Sequence, residues 1–185
     1  MADPFQLGRV EIVPSDPAWR DAYRAEAKEL QRLAGGLLVR MEHVGSTAIP
    51  DLPSKPTIDI MASTLSLEEL DGLVLVLAER GYQELNGLFS FRRFFRRVAD
   101  NGRLSYHLHI VQENVWQDKN ERLFRDWLLN HPVVAKEYGR LKETLAERFG
   151  QDREGYTEAK TDFIRRIVNQ ARRSRGLEPL ADWTE

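Results

Sequence analysis

Glu42-His-Val-Gly-Ser-Thr-Ala-Ile-Pro-Asp-Leu-Pro-Ser-Lys-Pro-Thr-Ile-Asp-Ile-Met61 is the stretch on which the fold turns. It reads as a strand ending at Val44, a Gly-Ser turn opening a short helical or irregular segment, and a second strand carrying Asp59 between Ile58 and Ile60. Gly45 has no Cβ, so the backbone can bend sharply and a ligand can approach the main chain. Ser46 and Thr47 add hydroxyls and N–H groups that suit a phosphate at a helix N-terminus. Lys55 offers a point charge to the same anion. Asp59, with Ile58 and Ile60 packing on the opposite face, presents a carboxylate to a hard cation such as Mg²⁺. The plainer alternative is an ordinary loop, since Gly-Ser pairs punctuate many.

Upstream, Arg9 to Val13 alternates polar and apolar residues and predicts a short strand or extended arm. Asp16-Pro17 then reads as an N-cap and first-turn proline for a helix with Trp19, Tyr23, Ala27, Leu30 and Leu33 on one stripe, ending at Gly35-Gly36. Leu37 to Val44 is the strand that feeds the turn. Downstream, Ser66 to Glu69 matches a capping box for a helix carrying Leu70, Val74 and Leu77, closed by Gly81. With Tyr82 to Leu85 as the next strand, this unit reads as strand, crossover helix and parallel strand.

Asn86-Gly87 is the strongest hairpin signal, with Phe89 to Val98 as the return strand. Alternation puts Arg93 and Arg97 on one side of that strand and Arg92 and Arg96 on the other. Leu104 to Val111 is a further strand, with Tyr106, Leu108 and Ile110 on one face and His107 and His109 on the other. From Trp116 the pattern is helical, in segments separated by Asn130-His131-Pro132 and by Gly150 to Asp152. The expected class is α+β: a small mixed β-sheet with helices over residues 9–115, a C-terminal helical segment over 116–175 and a loose tail over 176–185, all within one domain.

The chain has 185 residues, enough to bury a sizeable interior. Lys+Arg 27 against Asp+Glu 29 gives a net charge of -2, so no global nucleic-acid or membrane-binding surface is expected and any anion site is local. With no cysteine there is no disulfide framework, thiol chemistry or Cys-based zinc site. No apolar run approaches transmembrane length and no signal-peptide pattern opens the chain, so a cytoplasmic protein is expected. Oligomeric state is not legible.

The segments Glu42 to Pro50, Lys55 to Ile60, Phe94-Phe95, His107 to Val111 and Tyr156 to Ile164 resemble the GrpB family across about Arg9 to Arg173. That family has a nucleotidyltransferase-like fold, and a related domain occurs fused to dephospho-CoA kinase. The resemblance implies a nucleotide or other phosphorylated small molecule as ligand, a divalent metal, with Mg²⁺ or Mn²⁺ ahead of Zn²⁺, and nucleotidyl transfer as the activity to test. Gly45 and Ser46 match the superfamily's triphosphate turn and Asp59 matches one carboxylate of its pair. The same-face neighbours of Asp59 are Thr57 and Met61, and the later strand carries His107 and His109 where a third acid is expected.

Asp59, His107 and His109 are therefore both the candidate catalytic residues and the candidate metal ligands, a set that suits Zn²⁺, Mn²⁺ or Fe²⁺. Gly45, Ser46, Thr47, Lys55, Arg93 and Lys160 are the candidate phosphate or substrate residues, supported by Glu42 and His43. Two further readings stay open: a non-catalytic binding or interaction module that has lost the acidic triad, and a metal-dependent enzyme of another kind using the Asp/His/His set. The bland readings are histidines hydrogen-bonded in a polar cleft, arginines guarding an edge strand, and Tyr156 packing beside a solvated Lys160.

Overall fold

The computed structural model describes residues 9–85 and 91–181, which fall into two compact units. One unit, Asp16–Ala48 with Pro56–Lys119, is built on a sheet. The other takes Ile49–Lys55 and the chain from Asn120 onward, together with the described residues before Asp16, and is helical. The Asn86-Gly87 hairpin signal lies outside the described residues.

The sheet unit begins with helix α1, Ala18–Ala34, whose first N–H, on Ala18, donates to the Asp16 carboxylate at 2.9 Å. Strand β1 is Arg40–Val44, shorter than the alternation predicted, and β2 is Thr57–Thr64. Helix α2 spans Asp71–Glu79, β3 is Gln83–Glu84, β4 is Arg92–Val98 and β5 is Ser105–Gln112. The predicted capping box does not form: the Ser66 hydroxyl donates to Glu68 Oε2, and a 3₁₀ turn at Glu68–Leu70 precedes α2.

Among the described residues the sheet order is β1-β2-β5-β4-β3. Pairing is antiparallel except between β2 and β5, which run parallel. The expected parallel neighbour of β2 was the strand just after α2. That strand, β3, sits instead at the far edge beside β4, and β5 takes the place next to β2. The hydrophobic content of β5 explains the exchange. Leu108, Ile110 and Val111 are 0 % exposed, as suits a strand in the middle of the sheet, whereas β3 is only two residues long.

Helix α1 packs on β1, β2 and α2, covering one face of the sheet. Ile58, Ile60, Ala62, Leu108 and Ile110, all fully buried, project to that face together with Phe95. At about 1.5–3 kcal/mol for each large aliphatic or aromatic side chain, their burial is the main force holding this layer. On the other face, Val44, Met61, Val111 and Trp116 form a smaller cluster at one end of the sheet.

In the helical unit, α3 (Asn120–Asn130), α4 (Pro132–Phe149) and α5 (Arg153–Ser174) pack mutually. Pro132 occupies the first turn of α4, and the Asp152 side chain caps α5 through the Gly155 N–H at 2.9 Å. Ile49, Leu52, Leu128, Tyr138, Ile167 and Val168 share its core. The N-terminal arm joins this unit through Val10 N–H to Gly150 O and a two-way bridge between Val13 and Ser54. Beyond α5, the Asn169 amide bonds both the N–H and the C=O of Leu180. Among the described residues no helix is long and apolar enough to cross a membrane.

Candidate metal centre

The parallel register sets Asp59 beside His107 and Met61 beside His109, so all four project to the face away from α1. His107 Nδ1 lies 3.1 Å from Asp59 Oδ1, and both side chains are 25 % exposed, within reach of solvent. One ligand atom from each of Asp59, His107 and His109 lies within 4.8 Å of the others. Ligands on one tetrahedral metal with bonds near 2.1 Å stand about 3.4 Å apart, so small side-chain rotations close the set.

Gly45 joins this constellation from β1. Its φ is +71°, and a Cβ at that position would overlap the Asp59 carboxylate. The bend after Val44 therefore packs directly on the acid, which explains why a residue without a side chain is needed there.

Electrostatics separate the three groups. Burial works against the charged form of Asp59, but the hydrogen bond and charge of His107, with the fields of His109 and His43, outweigh it and hold the carboxyl below its ordinary value. Burial, reinforced by the positive field of Arg92, pushes His109 well below the ordinary histidine value, and so it is neutral at neutral pH. Its Nδ1 is buried and makes no hydrogen bond among the described residues. Leaving such a nitrogen without a partner costs about 1–3 kcal/mol, a cost a bound cation would remove. His107 Nδ1 and Asp59 Oδ1, in contact at 3.1 Å, already stand near the spacing of two ligand atoms on one ion.

The remaining predicted residues divide. Glu42 lies opposite Met61 and so shares the face of Asp59. His43 faces the other way: its ring stacks on Tyr23 of α1 at 4.7 Å and its Nε2 meets Thr47 Oγ1 at 3.0 Å. The Thr47 hydroxyl donates to the Thr57 carbonyl at 2.8 Å and is buried, so it stitches the turn to β2 rather than facing a ligand. Ser46 is half-buried and opens a 3₁₀ turn, Ser46–Ala48, too short for the helix N-terminus expected of a phosphate site.

Arg93 is a correction. It lies on the helix-covered face, where its guanidinium binds Glu84 at 2.6 and 2.9 Å and Asp71 at 2.9 Å. The β4 residues on the histidine face are Arg92, Phe94, Arg96 and Val98, because Phe94 pairs with His109 and Arg96 with His107. Phe94 stacks on His109 with ring centroids 4.4 Å apart and meets His107 edge-on at 5.5 Å. Alternation alone divided the arginines into two pairs. Only the register says which pair accompanies the histidines. Lys55 and Lys160 belong to the helical unit, where both ammoniums lie against the Tyr156 ring, 4.8 and 5.2 Å from its centroid.

A mixed five-stranded sheet with Asp59, His107 and His109 clustered on a single face defines an α+β protein with a candidate transition-metal centre. The family model described as "GrpB protein" matches residues 9–170, and the chain belongs to that family. It is 36% identical over 167 residues to a UPF0157 protein of Pseudomonas aeruginosa, covering 88% of this chain and 68% of that one. The crystal structure of conserved protein GrpB from Enterococcus faecalis superimposes with a TM-score of 0.81 at 30% identity, over 90% of this chain and 99% of that one. A dephospho-CoA kinase of Mycolicibacterium paratuberculosis is 27% identical over 187 residues, 88% of this chain but only 46% of the kinase. This chain spans about half of that relative.

Proposed function

We propose that Asp59, His107 and His109 hold one divalent transition-metal ion and that the loaded site binds a phosphorylated small molecule. The observation that carries this reading is the mutual approach of three ligand atoms to within 4.8 Å on one sheet face. The buried, unpartnered Nδ1 of His109 supports it independently. Two imidazoles and one carboxylate favour Mn²⁺, Zn²⁺ or Fe²⁺ over Mg²⁺, which takes oxygen ligands.

When bound, such an ion polarises a phosphoryl oxygen or lowers the pKa of a coordinated water. The protein's own contributions are local. Asp59 Oδ1 and His107 Nδ1 already stand 3.1 Å apart, near the spacing of two ligand atoms on one ion, Gly45 leaves room for the carboxylate, and the Phe94 ring stacks on His109. Nucleotidyl transfer by two Mg²⁺ ions calls for a cluster of acids, and this face offers Asp59 as the single carboxylate among the three clustered ligands. A one-metal site is therefore favoured over that chemistry.

Elemental analysis of purified protein, followed by titration with Mn²⁺, Zn²⁺ and Mg²⁺, tests the metal. Thermal shifts of the loaded protein with ATP, CTP, GTP, CoA and dephospho-CoA test the ligand, dephospho-CoA being included because of the kinase relatives. A ligand at a hundred times its Kd adds about 2.7 kcal/mol of stability. Metal-free protein that gains nothing from any of the three ions would sink the reading. Metal binding without a response to any phosphorylated ligand would leave the metal and remove the substrate class.

A further inference from the structure

Arg92, Phe94 and Arg96 occupy alternate positions on β4, and the antiparallel register with β5 brings them to the same face as His107 and His109. Arg96 is the direct cross-strand partner of His107, and Phe94 that of His109. The Arg96 guanidinium lies 5.2 Å from the centroid of Phe94, the ring that stacks on His109. Arg92 is 6 % exposed, so its charge sits within the protein rather than in bulk water.

A divalent ion held by one carboxylate and two neutral imidazoles keeps a net single positive charge. Two guanidiniums beside it, permanently charged and shaped as donor forks, make the neighbourhood selective for an oxyanion of high charge density. A phosphate monoester fits better than a carboxylate, because its dianion offers oxygens to the metal and to a guanidinium at the same time. We propose that Arg96, with Arg92, forms the phosphate-binding arm of this metal site, so that the ligand's phosphoryl group lies on the β4 side of His107 and His109 rather than in the Gly45-Ser46 bend. This rests on the metal reading above. It replaces the sequence-based choice of Arg93 by two residues that the register puts next to the ligands.

The test uses full-length protein loaded with Mn²⁺ and inorganic phosphate as the probe. Mn²⁺ affinity is measured first, by electron paramagnetic resonance. Phosphate affinity, and its distance from the ion, then follow from paramagnetic broadening of the ³¹P signal. The expected result is broadening in wild type, with Arg96→Met weakening phosphate by about tenfold or more while Mn²⁺ affinity stays within about twofold. Arg96→Lys should recover part of the loss, and Arg93→Met on the opposite face should change nothing. Arg92→Met is expected to weaken phosphate similarly; since that side chain is buried, its fold is checked by circular dichroism, and the Arg96 series decides the matter if it unfolds. Mn²⁺-loaded wild type that does not broaden phosphate, or phosphate affinity unaltered by Arg96→Met, overturns the arm alone. Failure of wild type to bind Mn²⁺ overturns the arm and the metal reading together.

Discussion

On the helix-covered face of the sheet, Arg97 of β4 meets Glu26 of α1 at 2.5 Å and Arg93 meets Glu84 and Asp71, whereas one residue along the same strand Arg96 lies over Phe94 beside His107. The two faces thus use the same residue type for different ends. On the covered face, Glu26 accepts from both Arg97 and the Tyr82 hydroxyl in a pocket where its side chain is 9% exposed. A charge so placed is tolerable only while its partners stay in place, and this ties α1 to β4 and to Tyr82. On the histidine face the single clustered carboxylate is shared with two imidazoles, one of which has a buried nitrogen without a partner. The first arrangement is complete within the fold; the second leaves that nitrogen unsatisfied, which the proposed ion would remedy.

That contrast is open to breakage. The largest expected effect is from Glu26→Gln, which leaves Arg97 buried without its countercharge: a loss of about 3–5 kcal/mol in denaturant unfolding, with metal affinity of the folded protein unchanged. A large change in metal affinity would mean the faces are coupled. Asp59→Asn should do the reverse. Metal affinity should fall by more than the roughly 10–100-fold that a supporting partner of a ligand is worth, with little change in unfolding free energy, as calorimetric titration and chemical denaturation would show together.

Gly45→Ala sharpens the geometry, because it combines a positive φ with overlap of the Asp59 carboxylate. We expect a loss of about 1–3 kcal/mol in stability together with weakened metal binding. Unaltered metal binding in the folded variant would show that Asp59 can move without losing its ligand role.

The covered face also predicts a pH dependence. Burial and the charge of Glu26 push Tyr82 far above the ordinary tyrosine value of 10.0, so the native state keeps a proton that the unfolded chain releases above that pH. Fewer protons are then bound in the unfolded state, and stability falls as pH rises past 10.0, by about 1.4 kcal/mol per pH unit for this group. Tyr82→Phe should be less stable at pH 8 but should lose less between pH 10 and 11 than wild type in urea titrations. The smallest effect is expected for Arg24→Met on α1, which meets Asp21 at 3.4 Å with side chains 65% and 79% exposed: under about 1 kcal/mol by denaturation.

Much of the covered face was legible from periodicity. Trp19 and Leu30 of the α1 stripe, the two isoleucines around Asp59 and the Tyr106-Leu108-Ile110 alternation are buried as local spacing predicts. Glu26 was not, because an acid on an apolar stripe signals nothing until its distant partners Tyr82 and Arg97 are known. At the candidate site, spacing predicted that His107 and His109 share a face and that Arg92 with Arg96 oppose Arg93 with Arg97.

Local sequence thus determined which residues alternate within each strand, where α1, α4 and α5 begin, and the character of the turn at Gly45, because these depend on backbone geometry over a few residues. Only the tertiary structure decided that β5 rather than β3 pairs with β2 and that Asp59 falls beside His107. It also decided that Arg96, not Arg93, joins them. A shift of one residue in strand register exchanges the faces of every side chain, and register between strands about 50 residues apart is set by which pairing buries the most apolar surface, a sum over the whole sheet that no single stretch contains.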